Sequence, residues 1–403
     1  MTRWFSGDER TLGLVLGGGL ATFAFFRLDT LRDKLGVPAE TAAPLALVAV
    51  VTAVAWWSML PRGFVWLEPA VLTWRDVDRN RLVTRRILGG WFLRLVALGY
   101  LLALLSVIAT VPSDWILAGA ALLLGTALAA LSAIRRPRTS RTAETLIVLA
   151  PAAAVTFTTP GQAVLIALAA AATLAAVVLA ARPRPHNPGR TELVDGWRDR
   201  LLRETGLHFL DLAMLLPAAR PGRPRRLGRP IALRLAWLGV VGRARLVPTA
   251  ALLALTTITA LRTFPALPDV LVITVIGYLA VLPFGAALGE LWASPGKRRW
   301  VGLSNLELRA ANLVVLAGVA AVWVVPVSGL DALYAIPVIT AGVVRTVTRN
   351  PPNFDTLGEV ATPFGVVPVA LMVRVLRGPD LVLLSLIYPP ITVPLALTWA
   401  LLR

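Results

Sequence analysis

The chain has 403 residues, of which 57% are apolar and only 15% are charged, with a mean hydropathy of +0.73. A soluble protein carries about 25% charged residues, so the composition excludes an ordinary soluble globular enzyme. The absence of cysteine excludes disulfides, thiolate metal sites and thiol nucleophiles. A net charge of +18 would suggest nucleic acid in a soluble protein. In a membrane protein, basic cytoplasmic loops account for it, and we expect no nucleic-acid partner.

Charge-free apolar runs recur along the whole chain. A transmembrane helix needs about 20 apolar residues. The runs that predict spans are 11–26, 41–61, 95–113, 115–134, 145–181, 246–261, 270–289, 310–330 and 381–402, with a shorter run at 332–344. Because Pro160-Gly161 is a turn signal, the run 145–181 is interpreted as two helices. The sequence therefore predicts an all-α, polytopic transmembrane helical bundle of about 11 spans, within a range of 10–12.

The basic residues predict the orientation. With the N-terminus inside, the inner segments carry 34 of the 40 Lys and Arg residues and the outer segments carry 4. Such a bias marks cytoplasmic loops, so we expect a multi-pass cell-membrane protein with a cytoplasmic N-terminus and with inner arginines near lipid headgroups. The predicted parts are a membrane half of about six spans (1–181), a cytoplasmic basic loop (182–245) and a membrane half of about five spans (246–403).

The basic loop contains a predicted amphipathic helix at 191–216, with Thr191 as its cap. One face of this helix is apolar at helical spacing, with Leu193, Val194, Trp197, Leu201 and Leu202. An apolar face of this kind predicts contact with the membrane surface or with a partner, and Trp197 is a candidate contact residue. The alternative is a solvated connector between the two membrane halves.

Two shorter inner loops resemble each other. In each loop a candidate helix cap stands four residues after a tryptophan, with Asp78 after Trp74 and Ser304 after Trp300. Ser304 also begins the S-x-x-E pattern of a capping box. Each loop is therefore predicted to start a helix that continues into the membrane. Either these residues are only caps, or the loops transmit force from a cytosolic partner, with contact candidates Asp78, Arg79, Arg81, Ser304 and Glu307.

Several short motifs are spread along the chain. They stand as Asp76-Val77-Asp78-Arg79, as Val301-Gly302-Leu303-Ser304, and as Thr362-Pro363-Phe364-Gly365-Val366-Val367-Pro368 followed by Leu376-Arg377-Gly378-Pro379-Asp380. In this pattern the chain resembles a family of actinobacterial multi-pass membrane proteins, which in turn resemble the permease half of ABC-type exporters. Asp76 and Gly302 stand where that family has prolines. The resemblance implies an exporter-like permease and names no substrate.

The sequence contains no phosphate loop of the form G-x-x-x-x-G-K-[ST]. The only Gly-Lys pair, Gly296-Lys297, has Leu291 where the first glycine would stand, and Arg298 follows it. ATP hydrolysis would therefore require another chain.

Ionisable residues are almost absent from the predicted spans. Arg94 is the only charge within them and is expected to reach the inner boundary, while Glu290 at that boundary is expected to be solvated. This disfavours an ion-coupled carrier. His186 and His208 are isolated, so no catalytic, metal or cofactor site is predicted.

Together these observations favour the membrane-spanning permease subunit of an ABC-type exporter. Its expected partners are a separate ABC-type ATPase subunit and membrane lipids, and a dimer of permease subunits is compatible with the sequence. A non-transporting polytopic assembly factor is the first alternative, and a membrane enzyme acting on lipid-linked substrates is the second.

Overall fold

The structure, a computed structural model, describes only part of the chain. The described residues are 22, 30, 43–59, 66–74, 79–108, 116–121, 152–157, 162, 166, 169–170, 189–208, 216, 231–348, 359–362, 365–368 and 380. Several predicted features lie outside them: Asp76, Asp78, the hairpin at 159–161, almost all of the span 11–26, most of 115–134 and 145–181, and the span 381–402.

The N-terminal half and the basic loop contribute four helices with complete bounds. These are α1 (Ala43–Met59), α2 (Pro69–Trp74), α3 (Arg79–Ile108) and α4 (Arg190–His208). Helix α3 joins the polar loop and the apolar run in one continuous helix, as predicted. Within it, Arg94 Nη1 donates to Gly90 O at 2.8 Å. The guanidinium therefore points back towards the start of the helix, which is the direction expected of a snorkelling side chain.

The C-terminal half is described without interruption from residue 231 to residue 348. Its helices are α5 (Ile231–Val241), α6 (Val247–Thr263), α7 (Asp269–Val281), α8 (Ala286–Trp292), α9 (Pro295–Val301), α10 (Asn305–Ser328) and α11 (Ala335–Val347). Short 3₁₀ helices at Ala244–Leu246 and Leu282–Gly285 lead into α6 and α8.

One short hairpin departs from the predicted all-α fold. Strands β1 (Glu359–Thr362) and β2 (Gly365–Pro368) pair antiparallel, with Val360 opposite Val367. The strands include three valines, whose β-branched side chains favour extended backbone. The remaining described elements are helical, so the described part of the chain is a helical bundle with this single hairpin.

Within the described part of the chain, three helical segments are long and apolar enough to cross a membrane. They are Ala244–Thr263, Asp269–Trp292 and Asn305–Ser328, and they confirm the apolar helices predicted at 246–261, 270–289 and 310–330. The run 332–344 forms α11, which is apolar but shorter. The total of about 11 spans stays a prediction.

The C-terminal core is built where α7, α10 and α11 meet. A Cβ on Gly277 of α7 would lie 2.6 Å from Ile339 Cδ1 and 2.9 Å from Trp323 Cζ3, so only glycine permits this approach. Tyr278 and Thr346 share a hydrogen bond of 2.7 Å between their side-chain oxygens, and Trp323 Nε1 donates to Ala250 O at 2.9 Å. Because lipid is as apolar as leucine, close packing and such hydrogen bonds, rather than hydrophobic burial, hold helices together in a membrane.

Helix α1 connects the two halves by packing against both α3 and α6. Leu47 and Val48 of α1 form a cluster with Leu101, Leu102 and Phe264. Nearby, Arg262 Nη1 donates to Thr156 O at 2.6 Å. Residues 156 and 262 lie next to the two loops that the charge count assigns to the outer face, 159–161 and 262–269.

Candidate functional site

The C-terminal element, residues 292–309, joins α8 to α10 through the short helix α9. Its centre is the buried ring of Trp292. The guanidinium carbon of Arg298 lies 4.6 Å from the ring centroid, and that of Arg309 lies 4.4 Å from it. Cation–π contacts of this kind are worth about 0.5–2 kcal/mol each, more when they are desolvated. The two arginines therefore hold α9 and α10 on the end of α8.

The turn between α9 and α10 has the predicted capping box. Ser304 Oγ accepts from the backbone N–H of Glu307 at 3.2 Å, and Glu307 Oε2 accepts from the backbone N–H of Ser304 at 2.8 Å. Gly302 ends α9 with φ +68°, a left-handed conformation that favours glycine. A proline, whose φ is fixed near −65°, cannot adopt this conformation, so the backbone here excludes proline at position 302.

The second tryptophan of this element lies outside the cluster. Trp300 is 94% exposed, and Lys297 and Arg299 beside it are also exposed. The indole of Trp300 is therefore available for binding.

An ion pair anchors the end of α5 beside the C-terminal element. Arg243 is 1% exposed, and its Nη2 donates to Oε1 of Glu290, whose side chain is 52% exposed. Burial lowers the pKa of the Arg243 guanidinium, and Glu290 opposes that shift. Glu290 is thus exposed, as expected from the sequence, and its carboxylate also pairs with a buried cation, which the sequence analysis did not predict. Close by, a Cβ on Gly239 would lie 2.5 Å from Ala287 Cβ, so α5 lies directly on α8.

The N-terminal element, residues 66–86, also centres on a tryptophan ring. The guanidinium carbons of Arg86 and Arg200 each lie 3.9 Å from the centroid of Trp66. The ring of Trp197 is 5.0 Å from Trp66, tilted by 41°. Burial lowers the pKa of Arg86, and the charge of Arg200 lowers it further, although an arginine stays cationic at neutral pH. Trp74, at the end of α2, is 83% exposed.

Helix α4 docks on this element through backbone as well as side chains. Leu67 N donates to Leu193 O at 3.2 Å, and Arg190 Nη2 donates to Thr73 Oγ1 at 3.0 Å. Leu193 is fully buried, so part of the apolar face of α4 is covered by the chain itself. Contact of this helix with a partner or with the membrane surface stays a prediction.

Three details of the predicted amphipathic helix were wrong. The helix begins at Arg190, so Thr191 lies in its first turn instead of capping it. Its described part runs to His208, and Leu216 lies in a bend and not in a helix, while residues 209–215 are outside the described ones. Its apolar side divides, because Leu193 is buried while Leu201 and Leu202 are exposed.

The six predicted contact residues fall into two groups. Trp197 joins the N-terminal element, where Arg81 is exposed, Arg79 is the first residue of α3, and Asp78 lies outside the described residues. Ser304 and Glu307 cap α10 in the C-terminal element. The structure thus brings Trp197 next to the first loop, which the sequence had not predicted.

The sequence analysis missed the residues at the centre of each element. They are Trp66, Arg86 and Arg200 in one and Trp292, Arg298 and Arg309 in the other. The available signal was a tryptophan within an arginine-rich loop, although which arginine stacks on which ring depends on the fold. Among the described residues, no three His, Asp or Glu side chains gather to hold a metal.

Compared with known protein families, curated proteins and solved structures, the chain matches none. The resemblance to actinobacterial permease-like proteins therefore stays a prediction, and the function has to be argued from the two elements.

Proposed function

We propose that the chain is the membrane-spanning permease subunit of an ABC-type exporter and that a separate ATPase drives it. In this proposal it crosses the cell membrane about 11 times, with the N-terminus and residues 182–245 in the cytoplasm. The observation that carries the proposal is the pair of elements at helix ends, each with a tryptophan ring contacted by two arginines and an exposed tryptophan nearby in sequence.

Contacts between loops agree with the proposed division of the loops between the two sides of the membrane. Trp66 with Trp197 and Arg243 with Glu290 each join two segments that the charge count assigns to the inner face. Arg262 with Thr156 joins helix ends beside two loops assigned to the outer face. A contact across the bilayer would be impossible, since the hydrocarbon core is about 30 Å thick. The folding contacts and the charge bias therefore favour the same topology.

The exposed surface of the elements suits a protein partner. Tryptophan and arginine are the residues most enriched at binding hot spots. In each element the exposed indole stands on a rigid base, because the neighbouring ring is fixed by its arginines. A partner that moves during ATP hydrolysis could push on such a base and shift the long helices α3 and α10 that start there. The chain has no phosphate loop, so the partner must supply the hydrolysis.

The direct test isolates the tagged full-length chain from its native membrane in mild detergent. We expect a protein with a phosphate loop to co-purify. The double variant Arg79→Glu with Arg81→Glu should recover about tenfold less of it, because reversed charge repels an acidic contact surface. The matched control is Arg234→Glu, an exposed arginine of α5 outside both elements.

Two results would contradict the proposal. If the intact chain is recovered with no phosphate-loop ATPase, the proposed exporter function is wrong. If the double variant recovers a normal amount of the ATPase, the first loop is not its contact surface, and the exposed side of α4 around Leu201 would be tested next.

A further inference from the structure

The two guanidiniums that contact Trp66 come from different helices and lie close to each other. Arg86 belongs to α3 and Arg200 belongs to α4. Each guanidinium carbon is 3.9 Å from the centroid of the same ring, so the two carbons lie within twice that distance of each other. Both side chains stay cationic at neutral pH. The contact between α3 and α4 therefore brings two like charges together, and their repulsion is relieved when an anion lies beside them.

The charge of Arg86 is not neutralised by the described part of the chain. Its Nη1 donates to Trp66 O, and this is its only hydrogen bond to a described residue. No described carboxylate forms an ion pair with it, in contrast to Arg243, which pairs with Glu290. An arginine has five N–H donors in a planar fork. Most donors of Arg86 are therefore available for a ligand that carries negative charge.

A phosphate group fits the pair formed by Arg86 and Arg200. Hydrogen bonds from a guanidinium to phosphate oxygens are about 2.7–2.9 Å long, and the parallel N–H groups of arginine bind such oxygens two at a time. One phosphate can therefore accept hydrogen bonds from both side chains. Because the ring of Trp66 already holds the two guanidiniums near each other, little side-chain freedom is lost when the ligand binds.

The position of Arg86 along α3 indicates the source of the phosphate. Arg86 stands two residues before the apolar helical segment Leu88–Leu104. In the proposed topology this is the inner boundary of the hydrocarbon core, where the lipid headgroups begin. Anionic headgroups of the cytoplasmic leaflet attract basic side chains at this level. Phospholipids are therefore the phosphate compounds that lie nearest to the two arginines.

Exposed apolar surface continues from Arg86 along α3. Residues 86, 89 and 93 share one face of this helix, because residues three or four positions apart are neighbours on a helix surface. A Cβ on Gly89 would meet no atom within 4 Å, and Leu93 is 69% exposed. On α4, Leu202 is 55% exposed close to Arg200 in sequence. A molecule that joins a phosphate to an apolar chain matches this order of cations followed by open apolar surface.

We propose that Arg86, Arg200 and Trp66 bind the headgroup phosphate of an anionic phospholipid of the inner leaflet. In this proposal an acyl chain lies along Gly89 and Leu93, and the bound lipid holds α4 against α3. The inference uses the proposed topology but does not depend on an ATPase partner. A ligand that binds two helices only while they are in contact stabilises that contact. The docking of the basic loop would then respond to the lipid composition of the membrane.

The test measures amide hydrogen exchange of α4 (Arg190–His208) in the purified full-length chain in a maltoside detergent, which contains no phosphate. Added phosphatidylglycerol should slow exchange in α4 by about tenfold, the factor for a ligand present at about ten times its Kd. Phosphatidylcholine should protect less, because its headgroup carries its own cation beside the phosphate. Inorganic phosphate, which has no acyl chain, should protect least.

Two variants remove different parts of the lipid contact. Arg86→Gln should abolish the protection by phosphatidylglycerol, while the matched control Arg85→Gln, at the exposed neighbouring arginine, should leave it unchanged. Because Arg86→Gln also removes a contact of Trp66, the second variant is Gly89→Leu, which fills the open space and keeps both arginines. Gly89→Leu should weaken the protection by phosphatidylglycerol without changing exchange in lipid-free detergent.

Several results would overturn the inference. If phosphatidylglycerol does not slow exchange in α4, no lipid holds this helix. If inorganic phosphate protects as well as phosphatidylglycerol, or if Gly89→Leu is protected as fully as the unchanged chain, the site binds an anion without an acyl chain and the lipid is wrong. If Arg86→Gln and Arg85→Gln respond alike, the protection comes from general attraction between a basic chain and an anionic surface. None of these results bears on the exporter function, which is decided by co-purification of the ATPase.

Discussion

The two elements surround their central tryptophan in different ways. In the C-terminal element, Arg298 and Arg309 come from the same short segment as Trp292. In the N-terminal element, Arg86 is local, but Arg200 arrives on α4, which also reaches Thr73 from Arg190 across 117 residues of sequence. The pair of cation–π contacts is therefore completed by a nearby residue in the C-terminal element and by a residue of a distant helix in the N-terminal element.

This difference has an energetic consequence. Contacts made within a segment cost little chain entropy, whereas those made by α4 require a long loop to close. A docked helix with few buried side chains opens at lower free energy than a core helix. We therefore expect α4 to detach from the N-terminal element before the C-terminal element loses its structure.

The difference in stability between the two elements is tested most directly by replacing the central tryptophan of each element with alanine. Trp292→Ala should destabilise the chain by about 3–5 kcal/mol, the usual cost of truncating a buried tryptophan. Trp66→Ala should cost less, because Trp66 is only half-buried. Thermal unfolding of the purified chain in detergent, followed by circular dichroism, measures both.

Trp237→Ala, which changes an exposed tryptophan of α5, is the control and should shift the midpoint least. Equal destabilisation by Trp66→Ala and Trp292→Ala would show that the two elements are held equally firmly, against the difference described here.

A smaller change sharpens the comparison by removing one cation from each ring. Arg200→Ala should speed amide hydrogen exchange across α4 by about two- to thirtyfold, which corresponds to a cation–π contribution of about 0.5–2 kcal/mol. Arg298→Ala should affect only residues 295–309. Arg198→Ala is the matched control, since it removes an exposed arginine from the same helix. Unchanged exchange of α4 in Arg200→Ala would mean that Trp197 and Leu193 hold the helix without it.

The smallest expected effect concerns the cap of α10. Ser304→Ala should cost about 1 kcal/mol and speed exchange in the first turn of the helix, while Ser304→Asp should preserve the cap. The corresponding change in the first loop, Asp78→Ala, should have the same effect on the first turn of α3, because Asp78 is the predicted cap of that helix. Faster exchange in α10 with unchanged exchange in α3 would show that the two loops are not capped alike.

Local patterns predicted local structure well. The capping box needs only residues 304–307, and the spans at 246–261, 270–289 and 310–330 follow from runs of apolar residues, so both were visible in the sequence. The packing of α4 was not visible in the sequence, because periodicity shows which face of a helix is apolar but not which residues cover that face. The face proved to divide between buried Leu193 and exposed Leu201.

The central contacts of the site depend on the tertiary fold. Arg243 and Glu290 are 47 residues apart, and Trp66 and Trp197 lie even further apart in sequence. No spacing rule links such residues. The short β hairpin was missed for a different reason, since four-residue strands are too brief for alternation to distinguish them from a loop.

The two members of the ion pair between Arg243 and Glu290 are synthesised at different times. Proteins are made from the N-terminus, so the apolar segment Ala244–Thr263 is synthesised while the carboxylate of Glu290, 47 residues after Arg243, does not yet exist. During that interval the guanidinium is not neutralised by this partner, and in the proposed topology it counts among the positive charges that keep the start of a span on the cytoplasmic side. Once α7 and α8 have been made, the same guanidinium is buried and paired with the carboxylate of Glu290. One residue thus contributes first to the insertion of the chain and afterwards to its packing.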